Sequence, residues 1–235
     1  MVKKEKEKIM LAEHVLEVRH AASGSFLDVR GYVADYVRES GILPHWKIDT
    51  NVVNFGDAPN EIEKEGAFAG FKSAGYMVYN PETRNYFVDK AGTFWRTLIK
   101  NQHYKLPEAI RFGTRTKVFL PSTKSFDEIN KTIFDTFYTE QAKNIIGGKE
   151  QDVQFIFELI ESQFNVRLSG GPIHENEVGK YLTFDSEEFK NCGIFLDLDY
   201  YKNKDIQNKD VPKLLKEAIE LTWLKIENIA NSLGL

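Results

Sequence analysis

The sequence predicts an α+β protein: two tandem β-α-β-β-β half-domains forming antiparallel sheets, helices packed on one face, and a long C-terminal helix. Three observations lead there. Stretches with the two-residue period of half-buried strands alternate with stretches of helical period. The order strand, helix, several strands occurs twice. The two earlier helices match at an offset of 100 residues, Ser25-Phe26 against Ser125-Phe126.

Residues 1–8, almost all Lys and Glu, read as a solvated charged tail. From His14 to His20, apolar Leu16 and Val18 alternate with polar Glu17 and Arg19, as in a strand with one buried face. Ser25 opens a helix to about Ser40, ended by Gly41 and Pro44. Strand-like runs follow at 46–55, 67–79, 86–89 and 93–99, with turns at Asn80-Pro81 and Lys90-Ala91-Gly92. After Pro107 the order restarts. Residues 110–120 form a strand, Ser125 opens a helix to about Lys143, and Gly147-Gly148 breaks the chain. Strands are expected at 153–160 and 164–168, a loop at 169–172, and strands near 181–184 and at 193–201. Asp210 as cap, with Pro212 in the first turn, starts the last helix, which runs to about Leu233 and stops at Gly234. Its apolar face, including Leu214, Leu215, Ala218, Ile219 and Trp223, needs cover from a sheet or another subunit, so a homo-oligomer through this helix is one expectation. The expected organisation is a tail at 1–8, a first half-domain at 9–106, and a second at 107–235 that includes the C-terminal helix.

The repeat extends beyond the two serines. Ser25 with Asp28 imitates the capping box that Ser125 with Glu128 spells out. The stripe Phe26, Val29, Val33, Val37 coincides with Phe126, Ile129, Ile133, Phe137. A doubled unit predicts a pseudo-symmetric saddle or open barrel whose concave surface or inter-half crevice binds a ligand or partner.

Composition narrows the function. With 42% hydrophobic and 13% aromatic residues, the chain has enough apolar side chain for a core, which excludes a disordered protein. A formal charge of −4 lacks the basic surplus of a duplex-DNA binder. The single cysteine, Cys192, permits no internal disulfide and no thiolate cluster, so the expected location is cytoplasmic. No apolar run is long enough for a membrane span. No phosphate loop, dinucleotide fingerprint, nucleophile elbow or HExxH pair occurs, so no catalytic residue is assigned.

The candidate ligand-binding residues are charged positions on strands. Asp197 and Asp199 in Phe195-Leu-Asp-Leu-Asp-Tyr-Tyr201 share one face, and so do Arg111 and Arg115; Arg19 shares a face with Glu17. An arginine-rich sheet face suits a carboxylate or phosphate, because guanidinium offers paired donors. The plainer alternative is a structural ladder of cross-strand ion pairs. Two aspartates on one face also suit Mg or Mn. His174, in a loop beside Glu175, and Cys192 read as a solvated histidine and a packed apolar side chain.

Three segments, Glu17-Val18-Arg19, Arg111-Phe112-Gly113-Thr114-Arg115 and Leu196-Asp197-Leu198-Asp199, together resemble a sporadically distributed family of uncharacterised prokaryotic proteins of about this length. In that family an E-x-R strand opens the protein, an R-x-G-x-R strand opens the second half, and an L-D-[IL]-D strand precedes the final helix. The chain departs from the pattern after Arg115, where Thr116-Lys117 replaces an aromatic-Asn pair. The resemblance implies no activity; the family's patchy occurrence implies a mobile or defence-associated setting.

The expected function is therefore a non-catalytic accessory protein that binds a small anionic ligand or a protein partner, without cofactor. The alternatives are a phosphoester or nucleic-acid hydrolase with Mg or Mn on Asp197 and Asp199, and a nucleic-acid-binding saddle.

Overall fold

A computed structural model describes residues 11–59, 61–183 and 191–235. The tail expected at 1–8 lies outside them. The first half of the chain contributes β1 (Leu11–His20), α1 (Gly24–Glu39), β2 (His45–Ile48), β3 (Val52–Ala58), β4 (Glu61–Gly70), β5 (Ser73–Tyr79) and α2 (Tyr86–Lys100). The second contributes β6 (Ala109–Pro121), α3 (Phe126–Phe137), α4 (Glu140–Ile146), β7 (Phe155–Glu161), β8 (Phe164–Ile173), α5 (Val178–Tyr181), β9 (Gly193–Lys202) and α6 (Val211–Ser232). All nine strands form one antiparallel sheet in the order β2-β3-β4-β5-β1-β6-β9-β8-β7, where two sheets were expected. The first strand of each half lies at the centre, and β1 pairs with β6 so that Val15 faces Arg115.

Strict alternation gives the central strands two unlike faces. Leu16 and Val18 on β1, Phe112 and Val118 on β6, and Leu196, Leu198 and Tyr200 on β9 are buried. One apolar core runs under this side through both halves and takes in Phe26 of α1, Phe87 and Trp95 of α2, Ile129 of α3 and Leu215 of α6. The expectation of helices on one face holds for these four. The short α5 instead covers one end of the opposite face, where Val178 and Leu182 pack with Leu11, Phe119, Ile173 and Phe195.

Several expected elements differ. The strands at 86–89 and 93–99, with their turn at Lys90-Ala91-Gly92, are the single helix α2, so the first half is β-α-β-β-β-β-α rather than β-α-β-β-β. Aromatic and β-branched residues give this stretch strand propensity, yet its buried Phe87, Ala91, Phe94, Trp95 and Leu98 recur at helical spacing, and packing overrides propensity. The run at 46–55 is β2, a turn and the start of β3; the run at 67–79 divides between β4 and β5. The helix from Ser125 ends at Phe137, and α4 follows. The loop expected at 169–172 belongs to β8. Of the strand near 181–184, Tyr181 ends α5, and Phe184 lies outside the described residues.

The two helix starts also diverge. Ser125 and Glu128 form the full capping box, whereas α1 starts at Gly24 after Ser23 with no side-chain cap. The broad apolar face of α6 is buried within its own chain, against α2, β6 and β9, which removes the reason for expecting a subunit contact there.

Each half fastens its final helix through a tyrosine, a glutamate and a lysine. Tyr76 of β5 donates to Glu65 at 2.8 Å, and Lys90 of α2 reaches the same carboxylate at 3.3 Å. Tyr200 of β9 donates to Glu161 at 2.7 Å, and Lys225 of α6 reaches it at 3.1 Å. Burial and the neighbouring carboxylate push both phenols well above their usual range.

Candidate functional site

The face of β1, β6 and β9 away from the core carries the charged residues singled out in the sequence. Because β6 lies between the other two strands, register sets the pairs: Arg19 faces Arg111, Val15 faces Arg115, Arg115 faces Asp199, and Lys117 faces Asp197. All five predicted residues, Arg19, Arg111, Arg115, Asp197 and Asp199, therefore lie on one surface. The three motif segments occupy the three adjacent central strands.

A cavity of about 370 Å³ opens on this surface, within the size of small-molecule sites. Four cations (Arg19, Arg111, Arg115, Lys117) and three carboxylates (Glu13, Glu17, Asp199) line it, with Val15, Tyr79, Gly113 and Thr183. Asp197 lies just outside the lining, behind Arg115.

The charges are not equally engaged. Arg115 grips Asp197 with two hydrogen bonds, Nε to Oδ1 at 2.8 Å and a second from its terminal nitrogen to Oδ2. Arg19 holds Glu17 in the same forked manner at 3.1 and 3.0 Å. Of the cross-strand ladder weighed as the plainer alternative, Arg115–Asp197 is one rung, whereas Arg19–Glu17 lies within β1; each pair raises its arginine's pKa, first through the carboxylate hydrogen bond. Lys117 donates to the carbonyl of Tyr181 at 3.0 Å. Arg111 makes no ion pair among the described residues; its guanidinium lies 4.9 Å from the ring centroid of Tyr201. Asp199 likewise makes no hydrogen bond or ion pair among them. Half-burial raises its carboxyl above the ordinary range, although Arg111 and Arg115 pull it back.

The arrangement thus offers one unpaired guanidinium, two more whose forks are partly engaged, and one half-buried carboxylate with free lone pairs. It offers donors to an anion and, in the same cavity, an acceptor for a hydrogen-bond donor. Asp197 and Asp199 gain no third histidine, cysteine or carboxylate ligand among the described residues.

Sequence reasoning missed part of the lining. Lys117 continues the alternation of Arg111 and Arg115 and was legible from it. Glu13 is 5% exposed on the same face of β1, where Thr183 donates to its carboxylate through both backbone N–H and hydroxyl; no local pattern brings Thr183 to it. The sequence set His174 beside Glu175 but left Cys192 apart from them, whereas the ligand atoms of all three lie within 4.8 Å of one another on the other side of the sheet end.

Compared with known proteins, the chain matches no family model, no curated protein and no solved structure. Among the described residues, no helix is long and apolar enough to cross a membrane.

Proposed function

We propose that this protein is a binding protein for a small organic anion, held in the cavity over β1, β6 and β9. The observation that carries this reading is Arg111, a guanidinium without a carboxylate partner in a cavity that also receives Arg19, Arg115 and Lys117. An isolated ion-pair ladder closes its charges into contacts, and here neither Arg111 nor Asp199 makes a direct ion pair among the described residues, although they act on each other through space. The ligand class is a carboxylate or phosphate ester that also bears a hydrogen-bond donor, the anionic end on Arg111 and the donor on Asp199.

The test is thermal unfolding of wild type, Arg111→Ala and Arg115→Ala against a panel of inorganic phosphate, phosphate monoesters, carboxylates and amino acids. A true ligand at about 100 times its Kd raises wild-type Tm by roughly 5–10 °C. Arg111→Ala abolishes the rise without changing the unliganded Tm by more than a degree or so. If no panel member shifts wild type, the reading is wrong. The rival reading, a phosphoester hydrolase with Mg or Mn on Asp197 and Asp199, has less support, since both Asp197 oxygens accept from Arg115. Mn²⁺ stabilisation that Asp197→Asn removes would favour it instead.

We further propose that the two halves descend from one duplicated strand-helix-strands-helix unit, and that the chain is kin to the prokaryotic family its three motifs resemble. Outward from the centre, β1-β5-β4-β3 is matched by β6-β9-β8-β7, and a helix follows each first and each last strand. The pair Val15 and Arg115 has the same offset of 100 residues as Ser25 and Ser125, as a two-fold axis between β1 and β6 requires. The tyrosine-glutamate-lysine fastening recurs in both halves, although Glu65 comes from β4 and Glu161 from β7.

A further inference from the structure

We propose that His174, Glu175 and Cys192 form a binding site for a divalent cation of the zinc class, separate from the anion cavity. The backbone brings them together. The β8–β9 ladder ends at Ile173 opposite Gly193, so His174 and Cys192 are the next residues outward from the two strands. Cys192 is anchored there, its carbonyl accepting from the N–H of Ser122 at 2.9 Å. The His174 ring lies flat on Phe126, the first residue of α3, with centroids 3.9 Å apart and planes 8° apart. Stacking fixes the plane of the ring, and with it the plane in which its nitrogens can reach a ligand.

The donor atoms are close enough for one ion. Cys192 Sγ lies 3.4 Å from Glu175 Oε2, and an imidazole nitrogen joins them within 4.8 Å. Tetrahedral zinc, with bonds of about 2.0–2.3 Å, spaces its ligands roughly 3.3–3.8 Å apart, so a side-chain adjustment of about an ångström closes the set. The donor set selects the metal. Sulfur, nitrogen and one carboxylate oxygen suit zinc or cobalt, whereas magnesium and calcium require oxygen throughout. Three protein ligands leave the fourth position to water, and the exposure of His174 and Glu175 gives the ion a way in.

Without a cation, burial and Glu175 hold the thiol protonated. Binding releases that proton and puts the metal's charge between a thiolate and a carboxylate that otherwise repel. The site lies on the helix side of the sheet end, so the ion would tie the end of β8, the start of β9 and the first turn of α3 together.

The test uses the full-length chain stripped of metal and titrated with Co²⁺. Cys192 is the chain's one cysteine, so a near-ultraviolet thiolate-to-cobalt absorption band is assigned without ambiguity. Expected are a band saturating at one equivalent, its loss in Cys192→Ser, and Co²⁺ binding weakened by roughly tenfold or more in His174→Ala and in Glu175→Gln. Zn²⁺ should displace the cobalt and bleach the band, and Arg111→Ala should keep it. No band in wild type overturns the proposal. A band that His174→Ala and Glu175→Gln both leave at unchanged affinity overturns it equally, because cobalt would then be held by the thiol alone. Far-ultraviolet circular dichroism on each variant separates a lost ligand from a lost fold.

Discussion

His14 is held on every side. It is fully buried between β1 and the helices, stacked on Phe87 and edge-on to Trp223, with Nδ1 2.9 Å from the hydroxyl of Thr116 and Nε2 unpartnered. No charged group among these neighbours compensates an imidazolium, and burial lowers its pKa from 6.5 to about 4. The unfolded chain therefore binds the extra proton first. Stability from the neutral ring is complete above about pH 6.5 and is lost progressively as pH falls towards 4, in all about 3 kcal/mol. His14→Asn can keep a partner for Thr116 and cannot titrate; urea unfolding from pH 7 to pH 4 should show a flatter slope in this variant than in wild type. Parallel slopes would mean that His14 charges without penalty. At this scale the sequence was partly readable. The charged positions on β1, β6 and β9 alternate so regularly that their common face could be inferred, but which arginine is engaged could not. That depends on side-chain reach across strands: Arg115 spans from a position opposite Asp199 to Asp197.

Among the elements, β1, β6 and β9 were legible because each shows an unbroken two-residue period. α2 was not, since Gly92 and its β-branched residues hide a helical stripe that only the start of α6 and the sheet beneath complete. β8 was misread at Gly170-Gly171-Pro172 for a similar reason. Glycine there answers close packing: a Cβ at Gly170 would lie 2.6 Å from Leu196 and 2.8 Å from Phe155. Gly75 on β5 has the same role on the charged side, where a Cβ would press on the carbonyl of Leu16 and come within 2.6 Å of the Phe68 ring. Gly75→Val should therefore break the β5–β1 pairing and cost about 3 kcal/mol or more, a loss that chemical denaturation would register as a lower midpoint. A midpoint within experimental error of wild type would mean that the two strands separate at no cost.

For the whole molecule, the boundary expected near residue 107 falls between two strands that each touch β1, namely β5 on one side and β6 on the other. The described residues share one sheet, and one core cluster crosses that boundary. Calorimetry should accordingly record a single transition whose measured and van't Hoff enthalpies agree; two resolved transitions would mean that the halves melt independently. The order of strands was out of reach of the sequence, because the long-range partner of each strand is chosen by packing rather than by local pattern.

The cavity's position has one more consequence. Its lining alternates between side chains of the first half, such as Glu17 and Arg19, and side chains of the second, such as Arg111 and Asp199. Neither half alone owns the cavity, so a ligand bound there would act as a rivet through the midline, coupling the two ends of the chain mechanically.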